Sequence, residues 1–463
     1  MKKLLLSALA VGALFAQTQP ADLEDKIKNL EKQVQELKKI AISNQKKINP
    51  IAANDHLFWS YDLRSAVDFI QYKHTDGSKD ANNVFTNRVL LTGVAKPSDN
   101  LKATLRIEAY NIYGMDGNPY AMYQNNNALA NETPDDTGVR VRDAYFNYYF
   151  GPNDGLMFSA GRRPAVEGYP ANFRNGDANA NSPLAHLINM EFDGMSFEIG
   201  NAVWSEWSEK FAEWGTWIKF CGGRGYTPNY GYFSQTPYAK GDDKINDFAG
   251  MIFVPYDDGQ YSLKAEVVKA WNVRGLAIPP TPDMTPDQLL MGMKALGGYF
   301  GYNILLNANG IGDEISDFFD NTTAFISFAQ SKTLPSSGEQ MLGSTDSKIG
   351  LSIWVGADMP GANESDRWGF NYVHGTKYWR SMTYGEDTII GSIAAARGDA
   401  YELYYHYQII PHLTAGIRAT LIKYSYTGSN AFFGYDGMPL DVDDVPSAVK
   451  DAKDLRVYIR YNF

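Results

Sequence analysis

Cysteine is nearly absent: Cys221 is the only one in 463 residues. It can form no disulfide within the chain, so the fold must be held by other means. Beyond the N-terminus no apolar run reaches the roughly 18 to 20 residues of a membrane-spanning helix, and the mean hydropathy is −0.35. Both argue against a helical membrane protein. Positive charge is in deficit, 42 Lys and Arg against 53 Asp and Glu, a formal net charge of −11. That argues against nucleic acid as a partner. Histidine is also scarce. The six, His56, His74, His186, His374, His406 and His412, show no catalytic spacing. No Walker or dinucleotide glycine motif stands in a sensible context. Catalytic residues, metal ligands and cofactors are therefore not assigned, and an enzyme is not expected. His406 with Glu402 is the best remaining candidate for chemistry, and an ordinary wall residue is the better reading of it.

What the chain has is aromatic residues, 14% of the total, and strict patterning. "MKKLLLSALAVGALFA" carries a Lys2–Lys3 start, an apolar stretch and small residues near Ala16. It reads as a secretory signal over residues 1–16. Residues 22–49 follow with Ile27, Val34, Ala41 and Ile48 at heptad position a and Leu23, Leu30, Leu37 and Asn44 at d. That narrow stripe predicts a coiled coil, and hence an oligomer. β-branched a residues with leucine at d favour two strands. Pro50 ends the helix.

After Pro50 the period changes to two. Leu57, Trp59, Tyr61, Leu63, Val67 and Phe69 alternate with Ser60, Asp62, Arg64 and Asp68. Leu101, Ala103, Leu105, Ile107 and Ala109 alternate with Lys102, Thr104, Arg106 and Glu108. "LRVYIRYNF", at Leu455–Phe463, sets Leu455, Val457, Ile459, Tyr461 and Phe463 against Arg456 and Arg460. Alternation alone fits any half-buried strand. The connections decide. Short ones, such as Lys96–Asn100, Gly151–Gly155, Asp193–Gly194, Asp257–Gly259 and Ile410–His412, alternate with long polar ones. The long ones are Gly114–Gly138, Arg163–Ala185, Trp204–Lys244, Val273–Leu296, Lys332–Asp346, Thr376–Asp399 and Thr427–Lys453. That asymmetry predicts an all-β fold: a transmembrane antiparallel β-barrel of about 16 strands over residues 56–463, apolar toward lipid and polar toward the lumen. Its first and last strands would pair and remove both edges.

With these residues in view, the chain resembles the coiled-coil porins of epsilon-class proteobacteria. "RDAYFNYYFGPNDGLMFSAGR" (Arg142–Arg162) and "GDAYELYYHYQIIPHLTAGIRA" (Gly398–Ala419) look like the paired hairpins of such porins. The terminal "YNF" resembles the signal that outer-membrane barrels carry for their assembly machinery. The resemblance implies an outer-membrane channel for small hydrophilic solutes, with the coiled coil in the periplasm. It also implies a trimer, against the heptad rule. In many porins the long third loop folds into the lumen. Arg163–Ala185 occupies that slot and would bring Arg163, Glu167, Arg174 and Asp177 to a constriction.

Strand parity points Arg64, Arg88, Arg106, Arg142, Arg418, Arg456 and Arg460 into the lumen, with Asp62, Glu108 and Glu402 among them. Rows of arginine favour anions, so a mild anion preference is expected despite the net charge, much of which sits in loops such as Asp135–Asp136 and Asp441–Asp444. Glu167 and Asp177 could face the arginine row across the constriction. Three details stay open. Trp204, Trp207, Trp214 and Trp217 could form a girdle at the outer interface, a loop core or a sugar-stacking platform. Gly222–Gly225 reads as a loop. "DVDD" at Asp441–Asp444 reads as a solvated acidic loop before a calcium site. The alternative to a channel is a structural barrel that tethers the envelope through its coiled coil.

Overall fold

A computed structural model describes residues 56–113, 139–177, 180–226, 244–279, 292–312, 315–363 and 365–463. The signal and coiled-coil segments, and Asp135–Asp136, lie outside the described residues. Sixteen strands form one closed antiparallel barrel in which each pairs with its chain neighbours and β1 pairs with β16. They are β1 Leu57–His74, β2 Lys79–Ser98, β3 Leu101–Ile112, β4 Val139–Phe150, β5 Leu156–Arg162, β6 Asp193–Ile199, β7 Trp217–Tyr226 and β8 Asn246–Asp257. The second half comprises β9 Tyr261–Leu276, β10 Met293–Asn309, β11 Thr323–Pro335, β12 Ile349–Pro360, β13 Arg367–Gly375, β14 Gly398–Ile410, β15 Leu413–Tyr424 and β16 Val449–Asn462. The sixteen strands of the expectation are present. Among the described residues no helix is long and apolar enough to cross a membrane.

β16 shows why the alternation closes this way. Leu455, Val457, Ile459 and Tyr461 are 39–46% exposed on the outer surface, whereas Asp454, Arg456 and Arg460 are at most 9% exposed. Backbone hydrogen bonds in lipid must all be met within the sheet, and closure meets them. The seam is in register from Asp62↔Asn462 through Phe69↔Leu455. Leu63, Phe69, Leu105, Leu403 and Ile417 continue the same exposed apolar surface around the wall.

The interior is not uniformly polar. Phe248, Val268, Ala270, Tyr299 and Ala329 point inward from β8–β11 and are buried. Much of the inner face of these strands is apolar, broken by residues such as Glu266 and Asn303, so alternation is weakest there. The inward apolar wall receives Leu187, Ile188, Trp379, Met382 and Phe433 from loops, forming a hydrophobic core inside the barrel.

Four expectations need correction. Asp193–Gly194 is the start of β6, not a turn. A Cβ on Gly194 would lie 2.8 Å from the Gly223 Cα, so the glycine permits close approach of β7. Consequently the loop from Arg163 runs on to Phe192 rather than ending at Ala185. Gly222–Gly225 lies within β7, not in a loop. A side chain at Gly223 would strike the Phe192 ring and the Asp193 carbonyl, so the glycines make room for the incoming loop. Trp204–Lys244 is not one long outer loop. Two short helices, Asn201–Trp207 and Glu209–Glu213, join β6 to β7 at the end of the barrel where β16 finishes, termed the turn end below. Trp204, Trp207, Phe211 and Trp214 pack edge to face there, at 5.2 to 6.0 Å between neighbouring ring centroids. They form a partly exposed aromatic cluster, with Trp207 and Trp214 open to the surface, on the side opposite the expected girdle. Finally, β1 and β2 meet through a tight turn at Thr75–Ser78, so not every loop-end connection is long.

Candidate functional site

Among the described residues, the loop-end connections 163–192 and 376–397 enter the lumen, and Phe433 of the last connection packs beside them. They are joined by backbone hydrogen bonds, Met382 N–H to Leu187 O (2.8 Å), Asn189 N–H to Met382 O (2.8 Å) and Gly385 N–H to Asn189 O (2.7 Å). The second loop delivers Asp387 to the wall. Its carboxylate meets the guanidinium groups of Arg64 from β1, Arg88 from β2 (3.1 Å) and Arg456 from β16 (2.9 Å). The Tyr110 hydroxyl of β3 donates to the same carboxylate at 3.1 Å, and Arg418 of β15 donates to the Asp387 carbonyl at 2.8 Å. Burial alone would raise the Asp387 pKa. Arg456, Arg64 and Arg88 outweigh it and hold the group well below the usual carboxylate range.

The first loop spreads its charged residues along the same wall. Glu167 lies 3.4 Å from Arg142 and 3.6 Å from Arg88. Burial opposes its ionisation, and Arg142 and Arg88 lower its pKa nevertheless. Arg174 pairs with Glu386 of the other loop and with Glu402 of β14. Asp177 meets Arg460 at 2.8 Å, and Arg460 also holds Asp62 at 2.5 Å. Arg106 pairs with Asp143 (3.3 Å), and Glu108 lies between Arg140 (2.8 Å) and Arg142 (3.6 Å). Arg456 also meets Asp68 at 2.6 Å. The row therefore exists as a set of inward side chains, but carboxylates from wall and loops cover it.

Arg163 departs from this pattern. Its guanidinium donates to the hydroxyls of Ser159 on β5 and Ser196 on β6. It sits beneath the Tyr145 ring, 5.0 Å from the centroid. His186, fully buried, hydrogen-bonds Ser327 and Ser352 at 2.8 Å on either ring nitrogen and lies against Trp354 and Trp379. Burial pushes its pKa down to about 3. His406 packs on Tyr404 and faces the Arg174 carbonyl at 3.2 Å, a wall position. In the last loop Asp441 accepts the Asp443 backbone N–H, and Asp443 pairs with Lys450 at 2.6 Å. Among the described residues no cluster of His, Cys, Asp and Glu suits a metal.

The lumen is not filled everywhere. A cavity of about 330 Å³ lies between the 163–184 segment and the inner wall of β4–β9, in the turn-end half of the barrel. Arg163, Lys219, Lys264 and Glu198 border it.

Asp387, Glu386 and His186 went unassigned in the sequence. Asp387 and Glu386 sit in a polar loop without pattern, and their ion-pair partners lie from 69 to 323 positions away. Asp68 was on the inward face and legible by parity.

A family model described as a protein of unknown function (DUF3373) matches residues 78–463. The chain belongs to this family. The match begins in the β1–β2 turn and so spans nearly the whole barrel. No curated protein matches the chain. Among solved structures, the anion-selective porin from Comamonas acidovorans is 12% identical, with a TM-score of 0.50 over 88% of this chain and 100% of that one. OprB of Pseudomonas putida, in its high-pH structure, is 11% identical, with a TM-score of 0.51 over 90% of this chain and 96% of that one. At such identity the likeness is one of fold: a porin-type sixteen-stranded barrel.

Proposed function

We propose that this protein is a porin of the bacterial outer membrane. It would form a narrow channel for passive diffusion of ions and small hydrophilic solutes, with a mild anion preference. The observation that carries this reading is a closed sheet with an apolar exterior and a charged interior that its own loops leave partly unfilled. The similarity to an anion-selective porin agrees with it at the level of fold. The anion preference is assigned differently from the sequence expectation. Arg64, Arg88, Arg142, Arg456 and Arg460 are covered by Asp387, Glu167 and Asp177. The open space instead faces Arg163, Lys219 and Lys264; Glu198 and Asp257 pair with the two lysines, which leaves Arg163 as the excess positive charge. A field in a low-dielectric channel is focused beyond its value in water. Arg163, Glu167, Arg174 and Asp177 act as the constriction, and the arginine row as its brace.

The resemblance to coiled-coil porins supports a periplasmic coiled coil at 22–49 and a homotrimer. Insertion would pass through the barrel assembly machinery, with lipid against the outer surface. The filled lumen favours one second reading, a tether whose conductance is incidental. Planar-bilayer recording of the purified protein separates the two. Small, stable steps with a reversal potential displaced toward anions in a salt gradient support the channel. A silent barrel supports the tether, and strong cation preference overturns the selectivity.

A further inference from the structure

The cavity under the first in-folded loop has the make-up of a binding site. Its volume of about 330 Å³ is at the lower end of the roughly 300 to 1,000 Å³ common for small-molecule sites. Three cations reach it, and each lies over an aromatic ring: Arg163 at Tyr145 (5.0 Å), Lys264 at Tyr169 (5.2 Å) and Lys219 at Trp217 (5.5 Å). Such stacking orients a cation without neutralising it. The lysines have carboxylate partners: Glu198 lies 2.9 Å from Lys219, and Asp257 lies 3.4 Å from Lys264. Arg163 differs. It is 7% exposed, and it hydrogen-bonds two serine hydroxyls, which supply no countercharge. Asp143, itself paired with Arg106, acts on it only from outside ion-pair distance, and a buried guanidinium hydrogen-bonded to neutral groups has a desolvation cost that an anion would offset. Met157, Ile252, Val254 and Leu184 complete the wall with apolar surface.

We infer that this cavity binds a small organic carboxylate, with its charge at Arg163 and its apolar body toward Ile252 and Val254. Inorganic anions would meet the charge but leave the apolar wall unused. The proposal deepens the channel reading and rests on it for its role, as a station for organic anions in the turn-end half of the lumen. It borders the carboxylate-covered arginine row along β4, whose Tyr145 and Asn147 line the cavity, but shares none of the row's arginines. Lys219 and Lys264, already paired, would steer the ligand, while Arg163 would hold it.

Benzoate is the probe, and benzyl alcohol its neutral counterpart. Binding to the purified full chain in detergent is measured by calorimetry and by quenching of tryptophan fluorescence, to which Trp217 contributes. Saturable benzoate binding, with benzyl alcohol at least tenfold weaker, is expected. Arg163→Gln should weaken benzoate roughly tenfold to a hundredfold, the range of a lost charge-assisted hydrogen bond, and leave benzyl alcohol unchanged. Heat-modifiable gel mobility verifies that the variant is a folded barrel. Should Arg163→Gln not fold, Lys264→Gln at the partly exposed rim should weaken benzoate several-fold. Equal affinity for both probes, or unaltered benzoate binding in these variants, overturns the assignment. Because the binding assay needs no current, a conducting barrel that ignores benzoate removes the site and keeps the porin. A silent barrel that binds benzoate does the reverse.

Discussion

Asp387 ties the second loop to five wall residues, Arg64, Arg88, Tyr110, Arg418 and Arg456, and Asp387→Ala is the perturbation that exposes its role. The substitution leaves Arg64, Arg88 and Arg456 at 5%, 2% and 1% exposure with their shared anion gone. Removing one partner of a buried charge group costs about 3–5 kcal/mol. Arg456 keeps Asp68 at 2.6 Å, and Arg88 keeps Glu167 at 3.6 Å and Asp62 at 3.5 Å, so the lower end, about 3 kcal/mol, applies. At about 1.4 kcal/mol per factor of ten, the docked loop loses roughly a hundredfold in its equilibrium against the undocked one. The assay is single-channel recording. The variant should show larger or flickering steps, and its reversal potential should move toward anions as three guanidinium groups are uncovered. Because the Asp387 pKa is held below 3.8, its contribution is complete above that pH and is lost only as pH falls through the lowered value. Wild-type docking should therefore owe no pH dependence to Asp387 between pH 5 and 8. Unchanged step size and selectivity in folded Asp387→Ala would refute this account of the lumen.

His186 makes the first loop sensitive to acid with a definite sign. The undocked imidazole takes a proton near its ordinary pKa of 6.5, whereas the docked one resists until about 3. Docking is thus at full strength above pH 6.5 and weakens as pH falls toward 3, losing about 2 kcal/mol by pH 5 at about 1.4 kcal/mol per pH unit. Proteolysis within 163–192 should rise between pH 7 and pH 5 and lose that dependence in His186→Gln; an identical profile in the variant would remove the histidine from the argument. Deleting residues 22–49 should weaken the oligomer on native gels while the barrel stays heat-resistant, and unchanged oligomer stability would mean the helix is no assembly device. Phe463→Ala should lower the amount of folded barrel in the outer membrane, with normal levels contradicting a sorting role.

The wall was legible wherever one face of a strand is polar. Arg456 and Arg460 between Leu455, Val457, Ile459 and Tyr461 fix β16 without a structure, because lipid and lumen impose opposite demands on successive residues. Legibility fell at β10, where Tyr299 and Leu305 face inward and Ile304 and Leu306 outward; hydrophobicity does not distinguish lipid from a loop-filled interior. It failed at Asp193–Gly194 and Gly222–Gly225, where turn-forming residues serve close strand approach instead. The first in-folded loop was expected from its position among the connections, but Asp387 was not. Its partners on β1, β2 and β16 lie far along the chain, and no local pattern marks a residue whose role depends on barrel closure.

The Asp387 contacts also constrain the order of assembly. Arg64 and Arg88 stand on one side of the β1–β16 seam, and Arg456 and Arg418 on the other. The seam itself joins groups about 400 positions apart, as in the register pair Asp62 and Asn462. Closing so long a span costs about 3 kcal/mol more in chain entropy than closing a ten-residue hairpin. An open sheet offers Asp387 only half of its ligands. Sealing the seam and seating the plug should therefore reinforce one another as a single late event, with the carboxylate as the clasp that reports a finished circle.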